Sequence, residues 1–383
     1  MEKIFWISLG LIGYAYAGYF LLIIIISFFV NTKVSKAEIE PFVSVLITAY
    51  NEEKTIEAKL ENSLRLDYPK NKFEIIVASD GSTDGTDEIV RRYEKNETGI
   101  KVLLHRVEGR MGKTAAQNSA VNICNGEIIV FSDAASMYDR NAIRALARNY
   151  ADPTVGAVSG RYEYINKKGT SVGAATILFW NFENFIKSRQ TKIKTITGCC
   201  GCIYSVRKAL YTPLPPSIIS DLVEPLMILQ KGYRITFEPQ ALAFEETTEK
   251  VYEEFKMRIR VIVRGMRGII FARDILNPFE YPFESLQLLS HKILRWLVPI
   301  FCITLFISNI FLSAKYLIYA ILLIAQLIFY TAAGIGYFLE KKGIRSKIFY
   351  LPLYFCIVNT ASLISLFKVF KKENIVTWEP TRG

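Results

Sequence analysis

The sequence predicts an α/β fold: a mostly parallel sheet with helices on both faces, joined to about four transmembrane helices and one amphipathic interfacial helix. Two observations carry the first half of that statement and one the second. Between residues 41 and 131, short apolar runs alternate with segments of helical spacing, the pattern of a parallel sheet covered on both sides. Three of those runs end in polar turns, and open α/β sheets bind their ligands beyond the carboxyl ends of the strands. The chain is 51% hydrophobic over 383 residues, yet four uncharged stretches, 4–30, 296–312, 316–339 and 348–367, hold much of its apolar content. A bilayer core needs about 20 apolar residues per helix, with roughly 17 to 25 tolerated.

The first stretch contains Ala15-Tyr16-Ala17, which looks like a signal-peptide cleavage site. Apolar residues continue well beyond it, so residues 1–31 read as an anchor. Lys33 and Lys36 follow directly, while only Glu2 and Lys3 precede, which places the polar region in the cytoplasm by the positive-inside rule. Residues 31–40 form a charged linker and Pro41 opens the domain, expected over 41–250. Strands are predicted at 43–47, 73–78, 102–105 and 128–131. Helices are predicted at 56–66, at 84–95 with Asp84 or Thr86 as cap, and at 114–124. The second half alternates less regularly. It reads as a helix at 141–150, a strand at 155–161, an aromatic-rich helix at 177–187, a glycine-containing strand or turn at 198–206 and a late strand at 233–238. Residues 255–274 are basic on one side and apolar on the other, as in a helix lying on a membrane surface, within an interfacial region 251–295. Three membrane segments over 296–370 and a tail, 371–383, follow.

The net charge is +11. Facing anionic lipid and holding phosphates both account for it. Nucleic acid is not an expected partner, since no basic, aromatic-interleaved element is present. The six cysteines have no disulfide or zinc spacing and suit a reducing compartment.

Four motifs carry chemistry: TAYNEE (48–53) after the first strand, SDGSTDGT (79–86) after the second, RMGKTAAQNSAV (110–121), and FSDA (131–134) at the end of the fourth strand. In this order and at this spacing they resemble the family 2 glycosyltransferases, inverting enzymes of GT-A (Rossmann-like) fold, particularly the membrane-bound polysaccharide and lipid-linked-sugar branch. The likeness runs from about residue 42 to 268. It implies a nucleoside diphosphate sugar as donor, with UDP the expected nucleotide. Ala49, Tyr50, Glu52 and Asp80 then meet the base and ribose, and Lys113 with Arg110 meets the diphosphate. It also implies Asp133 as ligand to Mg²⁺ or Mn²⁺, hard cations suited to carboxylate and phosphate oxygens. The family's second acid is absent: Ala135 stands there, so phosphates and waters would complete the shell.

An inverting transfer needs a base for the acceptor hydroxyl. Ile219-Ser220-Asp221 matches the family's position for it, and Asp221 could also cap the helix that follows. In place of the processive members' QxxRW, this chain has Met257-Arg258-Ile259-Arg260-Val261. Arg260 and Arg264, at i and i+4, could reach the leaving diphosphate or lipid headgroups. The expected protein is thus a multi-pass cell-membrane glycosyltransferase with a cytoplasmic catalytic domain, acting on a lipid-linked or growing glycan acceptor. A processive polysaccharide synthase is the enzymatic rival, and an inactive nucleotide-sugar-binding membrane protein the rival of another class. Four full crossings would put the tail outside, against Lys368, Lys371 and Lys372. Pro352 and Asn359 allow a broken or re-entrant last segment that keeps Trp378 to Arg382 inside.

Overall fold

The computed structural model describes residues 1–95, 99–167, 169–247, 251–344, 346–373 and 376; the tail residues Trp378 to Arg382 lie outside them. The chain opens with α1 (Glu2–Gly13), a π-helical turn (Tyr14–Gly18) and α2 (Tyr19–Phe29), which together form one rod. The sheet domain follows as β1 (Val43–Ala49), α3 (Ile56–Leu64), β2 (Phe73–Ser79), α4 (Thr86–Glu94), β3 (Lys101–Arg106), α5 (Lys113–Val121) and β4 (Ile128–Asp133). Its second half is β5 (Met137–Tyr138), α6 (Ala142–Ala147), β6 (Val155–Ile165), α7 (Ser171–Ile193), β7 (Ile203–Arg207), α8 (Ser220–Gln230) and β8 (Arg234–Glu246). Then come α9 (Val251–Phe271), α10 (Pro282–Gln287), a second π-helical turn (Leu288–Ile293), α11 (Leu294–Ser313), α12 (Leu317–Lys341) and α13 (Lys347–Phe370).

The eight strands form one sheet in the order β3-β2-β1-β4-β7-β6-β8-β5. From β3 to β4 all pairs are parallel, as the alternating first half predicts. Side chains of a strand alternate between faces, and β1 shows the result. Val45 and Ile47 join Ile56, Leu60 and Val90 in one core. Leu46 joins Ala116, Ala120, Leu226 and Ile269 in the other. Both faces are covered, so every residue of β1 and β2 is buried.

Beyond β4 the sheet is mixed. β7 enters antiparallel between β4 and β6, while β6 and β8 pair in parallel. The elements here are longer than their patterns predict: β6 has 11 residues, β8 13 and α7 23. Polar residues such as Arg161 and Glu238 end the apolar runs early, yet the strands continue because each supplies the other's backbone partners out to Ile165↔Glu246.

Four helices are long and apolar enough to cross a membrane: Glu2–Phe29, Pro282–Ser313, Leu317–Lys341 and Ile348–Phe370. The second begins at Pro282, ahead of its uncharged run at 296, because Lys292 and Arg295 interrupt the apolar pattern without breaking the helix. Phe5, Leu305, Leu312 and Tyr319 form a cluster at the end away from the sheet. Among the described residues, none of α13 belongs to it. α13 lies along α9, through Ala361 against Ile262 and Met266, and also packs on α12, where Phe355 meets Phe329 edge-on at 5.4 Å. Past its end, Val376 sits on Gly112 at the start of α5.

Candidate functional site

Three turns meet at the carboxyl rim of β1, β2 and β4, and side chains tie the first two together. The amide of Asn51 donates to Ser82 Oγ at 3.2 Å, that of Glu52 to Thr86 Oγ1 at 2.8 Å, and that of Glu53 to Asp84 Oδ2 at 3.1 Å. Asp80 is fully buried. Its Oδ1 accepts from the Met111 amide at 2.8 Å, and its Oδ2 from the Gly112 amide at 2.9 Å. Burial pushes its carboxyl above the usual range, against the pull of these amides and of Arg110. Asp80 thus fastens the loop ahead of α5. Gly112 has φ +93°, a left-handed value that favours glycine. Ala49 is buried at the end of β1, and the Tyr50 ring carries the Arg110 guanidinium 4.0 Å from its centre.

Beside these turns lies a cleft of about 230 Å³ that brings together Glu52, Lys113, Asp133, Asp221, Arg260 and Arg264. They come from the β1 turn, α5, β4, α8 and α9. The rest of the residues named from sequence, Ala49, Tyr50, Asp80 and Arg110, flank it and do not line it. Lys113 forms an ion pair with Asp133, and its Nζ lies 3.4 Å from the Gly201 carbonyl. Asp221 stands in the first turn of α8, with its Oδ2 where a side chain at 201 would collide, 2.8 Å from a Cβ there. Only glycine leaves Asp221 that room. Burial pushes the Asp221 carboxyl up, Lys113 opposes this, and Asp133 adds to it.

Two arginines close the cleft from α9. Arg264 donates to Thr114 Oγ1 at 2.9 Å and to the carbonyls of Ile218 and Pro216 at 2.7 and 3.2 Å, fixing the segment that leads into Asp221. Burial, aided by Arg260, lowers its guanidinium to about 10. Burial lowers Arg260 as well, and Asp133 works against that.

Several residues here are invisible to the motifs. Glu245, a carboxylate from β8, lines the cleft beside Ala135, the position where the sequence lacks the second acid. Glu245 accepts from Ser136 Oγ at 2.9 Å and from the Tyr162 hydroxyl. Lys59 is fully buried beneath the β4 turn, donates to the Ser136 carbonyl, and lies 3.7 Å from the centre of the Tyr138 ring. Burial drops its ammonium to about 7. A lysine on the face of α3 that carries Ile56, Leu60 and Ser63 is the one signal that could have marked it. Glu245 has none, being far from Asp133 in sequence.

A hard cation needs oxygen donors. No group of three or more His, Cys, Asp or Glu side chains able to hold a metal occurs among the described residues. Asp133 alone at the rim still suits Mg²⁺, which binds through one or two carboxylates plus substrate phosphates and keeps several waters.

With this geometry, the likenesses to known proteins are specific. Residues 44–212 match the family model described as glycosyl transferase family 2. The poly-β-1,6-N-acetyl-D-glucosamine synthase of Staphylococcus epidermidis is 26% identical over 367 residues, covering 89% of this chain and 87% of that protein. A probable glycosyltransferase of Bacillus subtilis, YdaM, is 26% identical over 353 residues, covering 86% and 82%. In fold, the chain resembles the mannosyltransferase PcManGT of Pyrobaculum calidifontis, solved with GDP-Man and Mn²⁺. The TM-score is 0.74 at 22% identity, over 97% of this chain and 100% of that one. Residues 44–212 thus match glycosyl transferase family 2, and the relatives alike along most of the chain are named as glycosyltransferases.

Proposed function

We propose that this protein transfers a sugar, with inversion, from a UDP-sugar to a lipid-linked or growing glycan acceptor at the membrane. The domain division that serves this is an anchor (1–31), a catalytic domain (41–250) on the cytoplasmic side, an interfacial region (251–295), membrane segments (296–370) and a tail (371–383). The observation that carries the reading is the single cleft that gathers Glu52, Lys113, Asp133, Asp221, Arg260 and Arg264.

Asp221 is the base. As the acceptor oxygen bonds to the anomeric carbon, its proton passes to the Asp221 carboxylate. The bond from that carbon to the diphosphate oxygen breaks, and the electron pair leaves with the nucleoside diphosphate. Ala49, Tyr50, Glu52 and Asp80 form the nucleoside side of the site, Asp80 by fixing the loop. Lys113, with Arg110 nearby, and Arg260 and Arg264 from the opposite wall supply positive charge where the diphosphate departs. Asp133 would hold a divalent ion, Mg²⁺ or Mn²⁺, which offsets charge on the diphosphate when bound. Lys113 pairs with Asp133 here, so it is placed to exchange that partner for phosphate oxygens.

A processive reading has one observation in its favour, the likeness to a poly-β-1,6-N-acetyl-D-glucosamine synthase along most of both chains. Nucleotide release measured over UDP-N-acetylglucosamine, other UDP-sugars and GDP-mannose, with product length read in parallel, tests both. A preference for one UDP-sugar supports the proposal. Products of many added sugars favour the synthase. Donor binding without nucleotide release at any divalent-ion concentration refutes catalysis.

A further inference from the structure

The turn that carries Asp133 is held from below. Lys59 rises from α3 with no exposure to solvent, and its Nζ donates to the Ser136 carbonyl. The same nitrogen stands 3.7 Å from the centre of the Tyr138 ring, a cation–π contact that strengthens where water is excluded. Further along α3, Asn62 grips the Tyr138 backbone twice. Its Nδ2 donates to the carbonyl at 3.0 Å, and its Oδ1 accepts from the amide at 2.8 Å. The Ser136 amide closes the turn on the Asp133 carbonyl at 3.2 Å. Asp133 therefore opens a turn whose far end is fastened to one helix.

Tyr138 carries this hold to the base. Its buried hydroxyl shares one proton between the Phe131 carbonyl at 3.1 Å and the Cys202 carbonyl at 2.9 Å. Phe131 lies just ahead of Asp133 on β4. Cys202 follows Gly201, the residue that leaves the Asp221 carboxyl its room, and in the same loop the Cys199 amide donates to the Asp221 carbonyl at 2.8 Å. Two loops from distant parts of the chain, 133–136 and 199–202, thus meet on one phenol, and that phenol packs on one lysine. An apolar side chain of equal length would fill the space under the turn without taking a charge out of water. It would also leave the buried Ser136 carbonyl without this donor.

We propose that Lys59 is a positioning residue for the transfer: acting through the Ser136 carbonyl and Tyr138, it sets the separation of Asp133 and Asp221. The inference rests on the transfer reading above and adds the group that holds its two carboxylates in place. Lys59 itself touches neither donor nor acceptor, being fully buried. Without its nitrogen, the Asp133 turn and the 199–202 loop can shift independently, and misplacing a reacting group by about 1 Å can cost about 10²-fold in rate. The nucleoside side is held separately, by Asp80 on the Met111 and Gly112 amides and by Ser82 and Thr86 on the turn after β1, so donor binding should not follow.

The test measures nucleotide release by the full-length protein in membranes, with the donor that wild type turns over fastest among UDP-N-acetylglucosamine, other UDP-sugars and GDP-mannose. Lys59→Met keeps the length of the side chain and removes its nitrogen. Tyr138→Phe keeps the ring and removes the hydroxyl. Each should lower kcat by about 10- to 100-fold and leave donor KM within about twofold of wild type. The double variant should fall no further than the more damaging single one, because both changes break one link. Ile56→Val, a core change on the same helix that removes no polar contact, should lower the unfolding midpoint and leave kcat unchanged. Normal kcat in both single variants overturns the inference, as does a raised donor KM with kcat unchanged. An equal loss of kcat in Ile56→Val overturns it too, since stability alone would then be at work. Losses that multiply in the double variant overturn the route through Tyr138. If Lys59→Met does not fold, as judged by UDP binding, Tyr138→Phe decides alone, and normal kcat in it overturns the inference. Wild type that releases no nucleotide from any donor overturns the transfer reading, and this inference with it, before any variant is compared.

Discussion

In the proposed mechanism, Asp221 has to take a proton in a place that disfavours its charge. Burial and the neighbouring Asp133 raise its carboxyl, against Lys113, Lys187 and Arg264. The acid limb of kcat/KM should therefore lie above the ordinary carboxylate range near 4, because activity needs the unprotonated form. Asp221→Asn should keep donor binding and lose turnover by about 10²- to 10⁴-fold; near-normal turnover would remove it as the base. Glu224, one turn along α8, titrates for structural reasons. It is fully buried, accepts from the Thr212 amide at 2.9 Å, and burial raises it from 4.5 to about 8. Below 4.5 it is protonated folded or unfolded. Between 4.5 and 8 only the folded state keeps the proton, so stability falls as pH rises across that window. Glu224→Gln should flatten this slope, by up to about 1.4 kcal/mol per pH unit. Unfolding midpoints of the two proteins over the window check it, and parallel curves would refute it.

The element that organises the donor side is the loop leading into α5. It is held by one buried carboxylate, Asp80, and by the left-handed backbone at Gly112. A Cβ at 112 would also lie 2.7 Å from the Val376 carbonyl. Gly112→Ala should therefore cost about 1–3 kcal/mol in backbone strain, shift the Lys113 ammonium, and raise donor KM by about tenfold with a smaller change in kcat. Unaltered donor KM would show that the loop does not set the diphosphate position. α9 plays the matching part on the opposite wall. Its Arg264 reaches three acceptors on α5 and the segment before α8, which joins the interfacial helix to the base.

At the scale of the whole molecule, the membrane helices and the sheet share one cavity, and α13 binds them together by running along α9. Val376 lies on Gly112, beside the sheet domain. A protease-cleavable tag at the C-terminus should thus be cut from the same face of sealed vesicles as a tag in the exposed Lys70–Lys72 turn between α3 and β2. Cleavage from opposite faces would refute that topology. The positive residues Lys368, Lys371 and Lys372 then lie where the positive-inside rule expects them.

The sequence by itself determined the parallel half of the sheet, the four apolar helices and the residues at the strand ends. Each of these is local: a period of two or 3.6, a run of uncharged residues, or a turn at a fixed offset from a strand. Tertiary structure alone decided that Asp80 clamps a loop, that Glu245 and Lys59 flank Asp133, and that α13 folds back along α9. It also decided that Lys59 and Tyr138 tie the Asp133 turn to the Cys202 carbonyl. These facts join residues far apart in the chain, through packing and charge that no single segment's pattern encodes.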